Sequence, residues 1–265
     1  MSDQPFEPFL EHLTWPQIAA ERDRCPLLVL PLGATEQHGP ALPVNTDSTV
    51  AHHLCAEACR QARVLMAPVL RYTSSGGHTV KWPGTFSLSP QVFIQTLVQF
   101  ARWAVATGWK KLLLVNAHAG NDAPLRVAVD QLRLEYLGAL QVGMVDAFHL
   151  TPAIGMAFHA DVQDLHANQA EADLMLHLAP QWVDREAFPR ADDPDRTEGL
   201  VFSYPVAQTS LNGTTGFPSR GCPERGARLF AQMVDALVGR LDKARREEPP
   251  LPWSDGSAVP PHFYS

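Results

Sequence analysis

No stretch of this 265-residue chain approaches the run of about 20 apolar residues that spans a bilayer. A basic excess is also missing. The net charge is −7 and the pI about 5.8, and no basic stripe interrupts the pattern. Nucleic acid and acidic membrane surfaces are therefore not expected partners. The segment Met1–Glu7 lacks the positive start and apolar core of a signal peptide, so the expected localisation is cytoplasmic. Cysteine is scarce, with Cys25, Cys55, Cys59 and Cys222 and no Cys-x-x-Cys pair. Cys55 and Cys59 share one face of an expected helix and read as small buried hydrophobes, not as a disulfide or a zinc clamp. Gly-x-Ser-x-Gly is absent and no cysteine lies beside the His-rich segments, which disfavours a nucleophilic serine or cysteine. Neither Gly-x-Gly-x-x-Gly nor a P-loop is present, which argues against nucleotide cofactors.

What is present is a concentration of ligand-type side chains behind an apolar run. Leu27 to Leu30 reads as a buried parallel strand closed by Pro31 and Gly33. The next residues lie at the carboxyl edge of a sheet, where α/β proteins place their sites. Glu36 and His38 are two apart, so on a locally extended backbone both point the same way. Gly39, Pro40 and Pro43 then turn the chain so that Asp47 can return to the same place. Two carboxylates and an imidazole suit zinc or manganese. The plainer alternative is a surface loop with Asp47 capping a helix over 48–62.

Further along, Val64–Leu70 reads as a second strand, and 72–90 as a long Gly-, Ser- and Pro-rich loop with His78 and Trp82 as candidate substrate contacts. A helix over 91–107 leads to a strand over 111–116, which runs into His118 and Asn121 at the same sheet edge as Glu36 and His38. A helix over 122–137 and a strand over 140–146 continue the alternation, which predicts a mainly parallel sheet with helices on both faces. Residues 147–165 read as irregular. His166 and Glu171 flank the start of the next apolar helix, where an acid is also a plain first-turn residue. Residues 181–222 read as ordered loop, and 224–246 as a helix. The expected organisation is one domain over 1–246 and a Pro-rich tail over 247–265, extended as an arm that is disordered or laid on a neighbouring subunit.

The string from Pro31 through Glu36, Gln37 and His38 to Asp47 resembles the first signature of the creatininase (creatinine amidohydrolase) family. Asn116-Ala-His118-Ala-Gly-Asn121 is similar to its Asn-Gly-His-Gly-Gly-Asn signature. Trp82-Pro-Gly-Thr85, His166-Ala-Asn-Gln-Ala-Glu171 and Gly213 to Gly226 resemble later segments. The resemblance implies a three-layer α/β/α fold, two divalent metal ions (zinc, or manganese or iron) and hydrolysis of an amide-type C–N bond, other than a peptide bond, in a small molecule. It also implies a homo-oligomer, often a hexamer built as a trimer of dimers. Carried over by position, Glu36, His38, Asp47 and His118 are metal ligands, with Asp47 bridging. Glu171 completes the set, with Gln169 as its competitor for the last position. His166 is the proton shuttle. The chain departs from creatinine-hydrolysing members at Ala119-Gly120, which stands where they carry Tyr-Glu, and at Phe217, which replaces an Asp and would add an apolar pocket wall. Creatinine itself is therefore not the expected substrate.

The chemistry expected from such a ligand set is attack by metal-bound hydroxide, since a divalent ion can lower the pKa of bound water to about 7. His166 would then pass a proton to the leaving nitrogen; free imidazole titrates near pH 6.5, which suits that task. Two other readings compete. One is a metal-dependent hydrolase acting on a cyclic ketone or lactone. The other is a degenerate scaffold that binds a small ligand without catalysis.

Overall fold

The computed structural model describes residues 6–251 and residue 253. At its centre is an all-parallel sheet of β1 (Leu27–Leu32), β2 (Leu65–Met66), β3 (Lys111–Asn116) and β4 (Gln141–Asp146), in the order β2-β1-β3-β4. Around it run α1 (Trp15–Arg24), α2 (Thr46–Ala62), α3 (Pro90–Ala106), α4 (Asp122–Glu135), α5 (Pro152–Phe158), α6 (Gln169–Leu178), α7 (Val206–Thr209) and α8 (Pro223–Arg246). β1 and β3 are buried at every residue. Their unbroken apolar runs follow from that, because both faces of the sheet are covered.

Side chains alternate across a strand, and the alternation sorts the core into two layers. Leu27 and Val29 of β1 join Leu113 and Val115 of β3 against Val50 and Leu54 of α2, Leu174 of α6 and Leu237 of α8. Leu28, Leu30 and Leu32 join Leu112 and Leu114 against Phe93 and Leu97 of α3 and Leu125 and Leu132 of α4. The result is the expected three-layer α/β/α arrangement. Local chemistry sets several ends. Ser89 accepts from the Val92 N–H ahead of Pro90 at the start of α3. The Gln17 side chain accepts from the backbone N–H of Thr14 to open α1.

Three expectations need correction. The strand over 64–70 is continuous only at Leu65–Met66, with a single isolated bridge from Leu70 to Leu32 beyond it. The N–H groups of Ala67 and Leu70 still donate to Val29 and Pro31, but Pro68 between them has no N–H to give. The helix expected from 48 begins at Thr46 with Asn45 as its cap, so Asp47 lies inside the first turn. Residues 147–165 are not irregular throughout, since α5 occupies Pro152–Phe158. Its Thr151 side chain accepts from the Ile154 N–H ahead of Pro152, the same cap-then-proline signal as at α3. The arm reading of the tail falls, apart from residues 247–251 and 253, outside the described residues. Among those described, no helix is long and apolar enough to cross a membrane.

Candidate metal centre

The loops after β1 and β3 meet the first turns of α2 and α6 at the carboxyl edge of the sheet. There Glu36, His38, Asp47, His118, His166 and Glu171 are each 4% exposed or less. Asp47 lies in the middle. Its Oδ1 is 3.1 Å from His38 Nε2 and its Oδ2 is 2.9 Å from His118 Nδ1. Glu171 Oε1 approaches His38 Nε2 at 3.7 Å, and Glu36 Oε2 approaches His118 Nε2 at 3.4 Å. On its other oxygen Glu36 meets His166 Nδ1 at 3.2 Å and His78 Nε2 at 3.5 Å. Ligand atoms therefore group as Glu36/Asp47/His118 and as His38/Asp47/Glu171, two triads that share Asp47. Glu36, His78 and His166 form a third.

Three acids in a water-poor place need compensation, because a buried unpaired charge is costly. No lysine or arginine is paired with them in the described structure. Glu36 Oε2 and Glu171 Oε2 are buried without a hydrogen-bond partner, and Asp47 Oδ2 has only the His118 Nδ1 at 2.9 Å, poorly aligned for a hydrogen bond. His38 donates Nδ1–H to the Glu36 carbonyl oxygen at 2.9 Å, which turns the bare Nε2 of its neutral form toward Asp47 and Glu171. Metal-ligating histidines are oriented in this way. Orphaned oxygens and a ring nitrogen with its lone pair facing them fit divalent cations.

Without cations, protons do that work. Burial opposes a charge on His118, yet Glu36 and Asp47 lift its pKa to about 9. Burial likewise opposes a charged His38, but Asp47 and Glu171 hold it well above the usual imidazole value. Conversely, burial disfavours ionised Glu36, and His118, His78 and His166 outweigh it and bring the carboxyl down to about 2. Asp47 is also held well below the carboxylate range by His38 and His118, against burial. His78 is pushed down to about 3 by burial and the adjacent His166, against Glu36. The sign for stability follows. A raised pKa on His118 stabilises the cation-free fold fully below the free imidazole value of about 6.5, and that contribution is lost as pH rises through about 9. In chelator, the melting temperature should therefore fall between pH 6.5 and 9. Cation uptake at pH 7 should release protons, read by calorimetry in two buffers of different ionisation enthalpy. Equal heats in both buffers would contradict this account.

Supporting residues explain why the loops hold their shape. The Asn116 side chain donates to the His118 carbonyl at 2.9 Å, and Asn121 donates to the Gly33 carbonyl and to Asn116 while accepting from the Ser74 N–H. Gly120 gives His118 room, since a Cβ there would lie 2.5 Å from His118 Nε2. Two residues passed over in the sequence take part. The Ser75 hydroxyl lies 3.1 Å from His118 Nε2. The Gln37 amide nitrogen is 3.0 Å from His166 Nε2, 3.1 Å from His78 Nδ1 and 3.0 Å from the Gly213 carbonyl it donates to. The alternation that points Glu36 and His38 one way points Gln37 the other, toward a loop nearly 180 residues downstream. That was its only available signal.

A cavity of about 750 Å³ opens over the triads, lined by the metal-type ligands, Ser74 to Thr79, Ser87 to Pro90, Phe148, Asp164, Leu165 and Tyr204 to Val206. His78, expected to touch substrate, is in its wall. Trp82, Asn121 and Phe217 are not. Asn121 is fully buried in the bonds above. The Trp82 ring carries the Lys81 ammonium 4.6 Å away, and the Phe217 ring packs under the Arg220 guanidinium at 4.0 Å. Gln169 lies apart in a small hollow beside Asp173 and Arg225, whereas Glu171 faces the cavity.

The model of the creatininase (creatinine amidohydrolase) family matches residues 11–241. A mycofactocin precursor peptide peptidase of Mycobacterium tuberculosis is 34% identical over 229 residues, covering 82% of this chain and 84% of the relative. The creatinine amidohydrolase of Pseudomonas putida is 28% identical over 264 residues, covering 91% and 98%. A solved mutant creatininase of Zn-Zn type superposes with a TM-score of 0.77 at 25% identity, covering 91% of this chain and 99% of that one. The peptidase name sits awkwardly with an expectation restricted to bonds other than peptide bonds.

Proposed function

We propose that this chain, which belongs to the creatininase family of hydrolases, is a metal-dependent amidohydrolase that cleaves an amide-type C–N bond of a small substrate. The observation that carries the reading is the pair of ligand triads joined at Asp47, with three buried carboxylate oxygens that lack a well-aligned hydrogen-bond donor. Glu36, Asp47 and His118 would hold one divalent cation, and His38, Asp47 and Glu171 a second. When bound, such ions supply Lewis acidity and make water a nucleophile at neutral pH. Zinc, manganese and iron all suit mixed oxygen and nitrogen ligands.

The chain's own residues supply the rest. His166 presents Nδ1 to Glu36 and Nε2 to the Gln37 amide. An amide nitrogen can only donate, so this arrangement favours a proton on Nδ1. We assign that atom the proton that passes to the leaving nitrogen. His78 stays neutral at working pH, because burial and His166 depress it to about 3. It can therefore accept from or donate to a bound amide without adding charge. Ser74–Thr79 and Tyr204–Val206 form walls of the cavity over the triads, against which a substrate would be positioned.

Creatinine is not the proposed substrate, because Ala119-Gly120 stands where the family resemblance puts a Tyr-Glu pair in creatinine-hydrolysing members. The cavity volume lies within the range of sites that enclose drug-sized ligands, about 300–1,000 Å³. The peptidase relative brings short peptides into the range of substrates to test. Hydrolysis should appear in a panel of formamides, lactams, cyclic ureides and short peptides with added zinc or manganese, and vanish with chelator. Chelator-resistant turnover, or turnover of lactones and cyclic ketones alone, would overturn this reading. A homo-oligomer is part of the proposal, supported by β4, an edge strand whose six residues are all only partly covered.

A further inference from the structure

Two histidines outside the buried centre are set against each other in an unusual way. His149 ends the 3-10 turn Ala147–His149 that follows β4, and His159 is the cap residue at the end of α5. Both are exposed. Their Nε2 atoms are 3.2 Å apart. His149 Nδ1 lies 3.0 Å from Asp146 Oδ2, and His159 Nδ1 lies 3.3 Å from the Val162 carbonyl oxygen. An ionised carboxylate and a carbonyl only accept, so each Nδ1 is the donor and carries the hydrogen. In the neutral rings, both Nε2 atoms then present lone pairs to each other, and something positive must lie between them.

We propose that His149 and His159 together bind a divalent transition-metal ion, zinc or nickel in type, at the protein surface. Two imidazole nitrogens on one tetrahedral zinc, each at about 2.0–2.1 Å, stand about 3.3 Å apart, which matches the observed spacing. Asp146 completes the carboxylate–histidine–metal relation that orients a ligating ring and raises its basicity. Its other oxygen accepts from the Phe148 N–H at 2.9 Å, which fixes the carboxylate. Gly155 leaves the His149 ring its place, since a Cβ there would lie 3.3 Å from His149 Cδ2. With two protein ligands, the remaining positions belong to water, so the ion is exchangeable. Its location also matters. Phe148, which lines the large cavity, packs at 4.5 Å against Phe158, the residue before His159. An ion joining His149 to His159 would tie that wall to the end of α5.

The test uses the full chain, first loaded with zinc at its buried centre and freed of excess metal. Equilibrium dialysis against zinc should show one further, weaker equivalent in the wild type. That equivalent should be lost in His149→Ala and in His159→Ala, with the tightly held zinc unchanged. Asp146→Asn should weaken it about 10–100-fold. Equal zinc uptake by wild type and both alanine variants overturns the proposal and leaves the pair sharing a proton only. Loss in one variant but not the other overturns it as well, because the ion then has different ligands.

Discussion

Asp47→Asn should abolish hydrolysis and halve the tightly bound metal at least. Asp47 contributes one oxygen toward each triad, at 3.1 Å from His38 and 2.9 Å from His118, so no other single residue serves both. The amide keeps the volume but removes the charge that both cations would share. Losing several kcal/mol of charge stabilisation in the transition state corresponds to a fall in kcat/KM of about 10³-fold or more. Metal analysis by mass spectrometry and a kinetic assay read the two effects together. A variant with full metal content and ordinary turnover would remove Asp47 from the centre. The effect should also appear without metal. His118 and His38 owe their raised pKa values to Asp47 among their partners, so the drop in melting temperature between pH 6.5 and 9 in chelator should flatten.

His166→Ala is expected to lower kcat about 10²–10⁴-fold, the usual contribution of a positioned proton donor, while both cations stay bound. The structure sharpens this experiment, because Glu36, His78 and His166 also form a possible ligand group. If His166 served as a ligand, its removal would lower the metal content along with the rate. If it serves as the proton carrier, substrates whose leaving nitrogen is already acidic should lose far less than those with a basic leaving group. That dependence on leaving group is the decisive readout, since a ligand would affect both classes alike.

Much of the sheet was legible because β1 and β3 are covered on both faces and so read as continuous apolar runs. The helix starts at Thr14, Ser89-Pro90 and Thr151-Pro152 are all written in local cap chemistry that the sequence carries. β2 shrank because Pro68 breaks the donor row, a local fact visible in the sequence. At the centre, Glu36 and His38 followed from two-residue spacing on an extended chain, and His118 from its place after a buried strand. The choice between Gln169 and Glu171 needed the packing of α6 against its surroundings, which local spacing does not carry. The structure sends Gln169 toward Arg225 and Glu171 toward the cavity. Trp82, Asn121 and Phe217 were credible as loop residues near a site, yet each is engaged by a neighbour elsewhere. Gln37 lay hidden for the opposite reason. Its partners, His166 and Gly213, come from distant parts of the chain.

Between His166 and the helix that carries Glu171, the backbone passes through Ala167 in the left-handed region, at φ 51. A residue with a Cβ sits there about 1–2 kcal/mol above its relaxed state. The bend is held from both sides: Thr215 donates its N–H to the His166 carbonyl, and Asn168 accepts from the Glu171 N–H to begin α6. A glycine would relieve that strain but would give up the Ala167 methyl, which is fully buried beside Leu42, Ala172 and Met175. The imidazole and the acid five residues on would then be joined by a slack hinge. Alanine at that position thus serves the core and stiffens the link between the two groups at once.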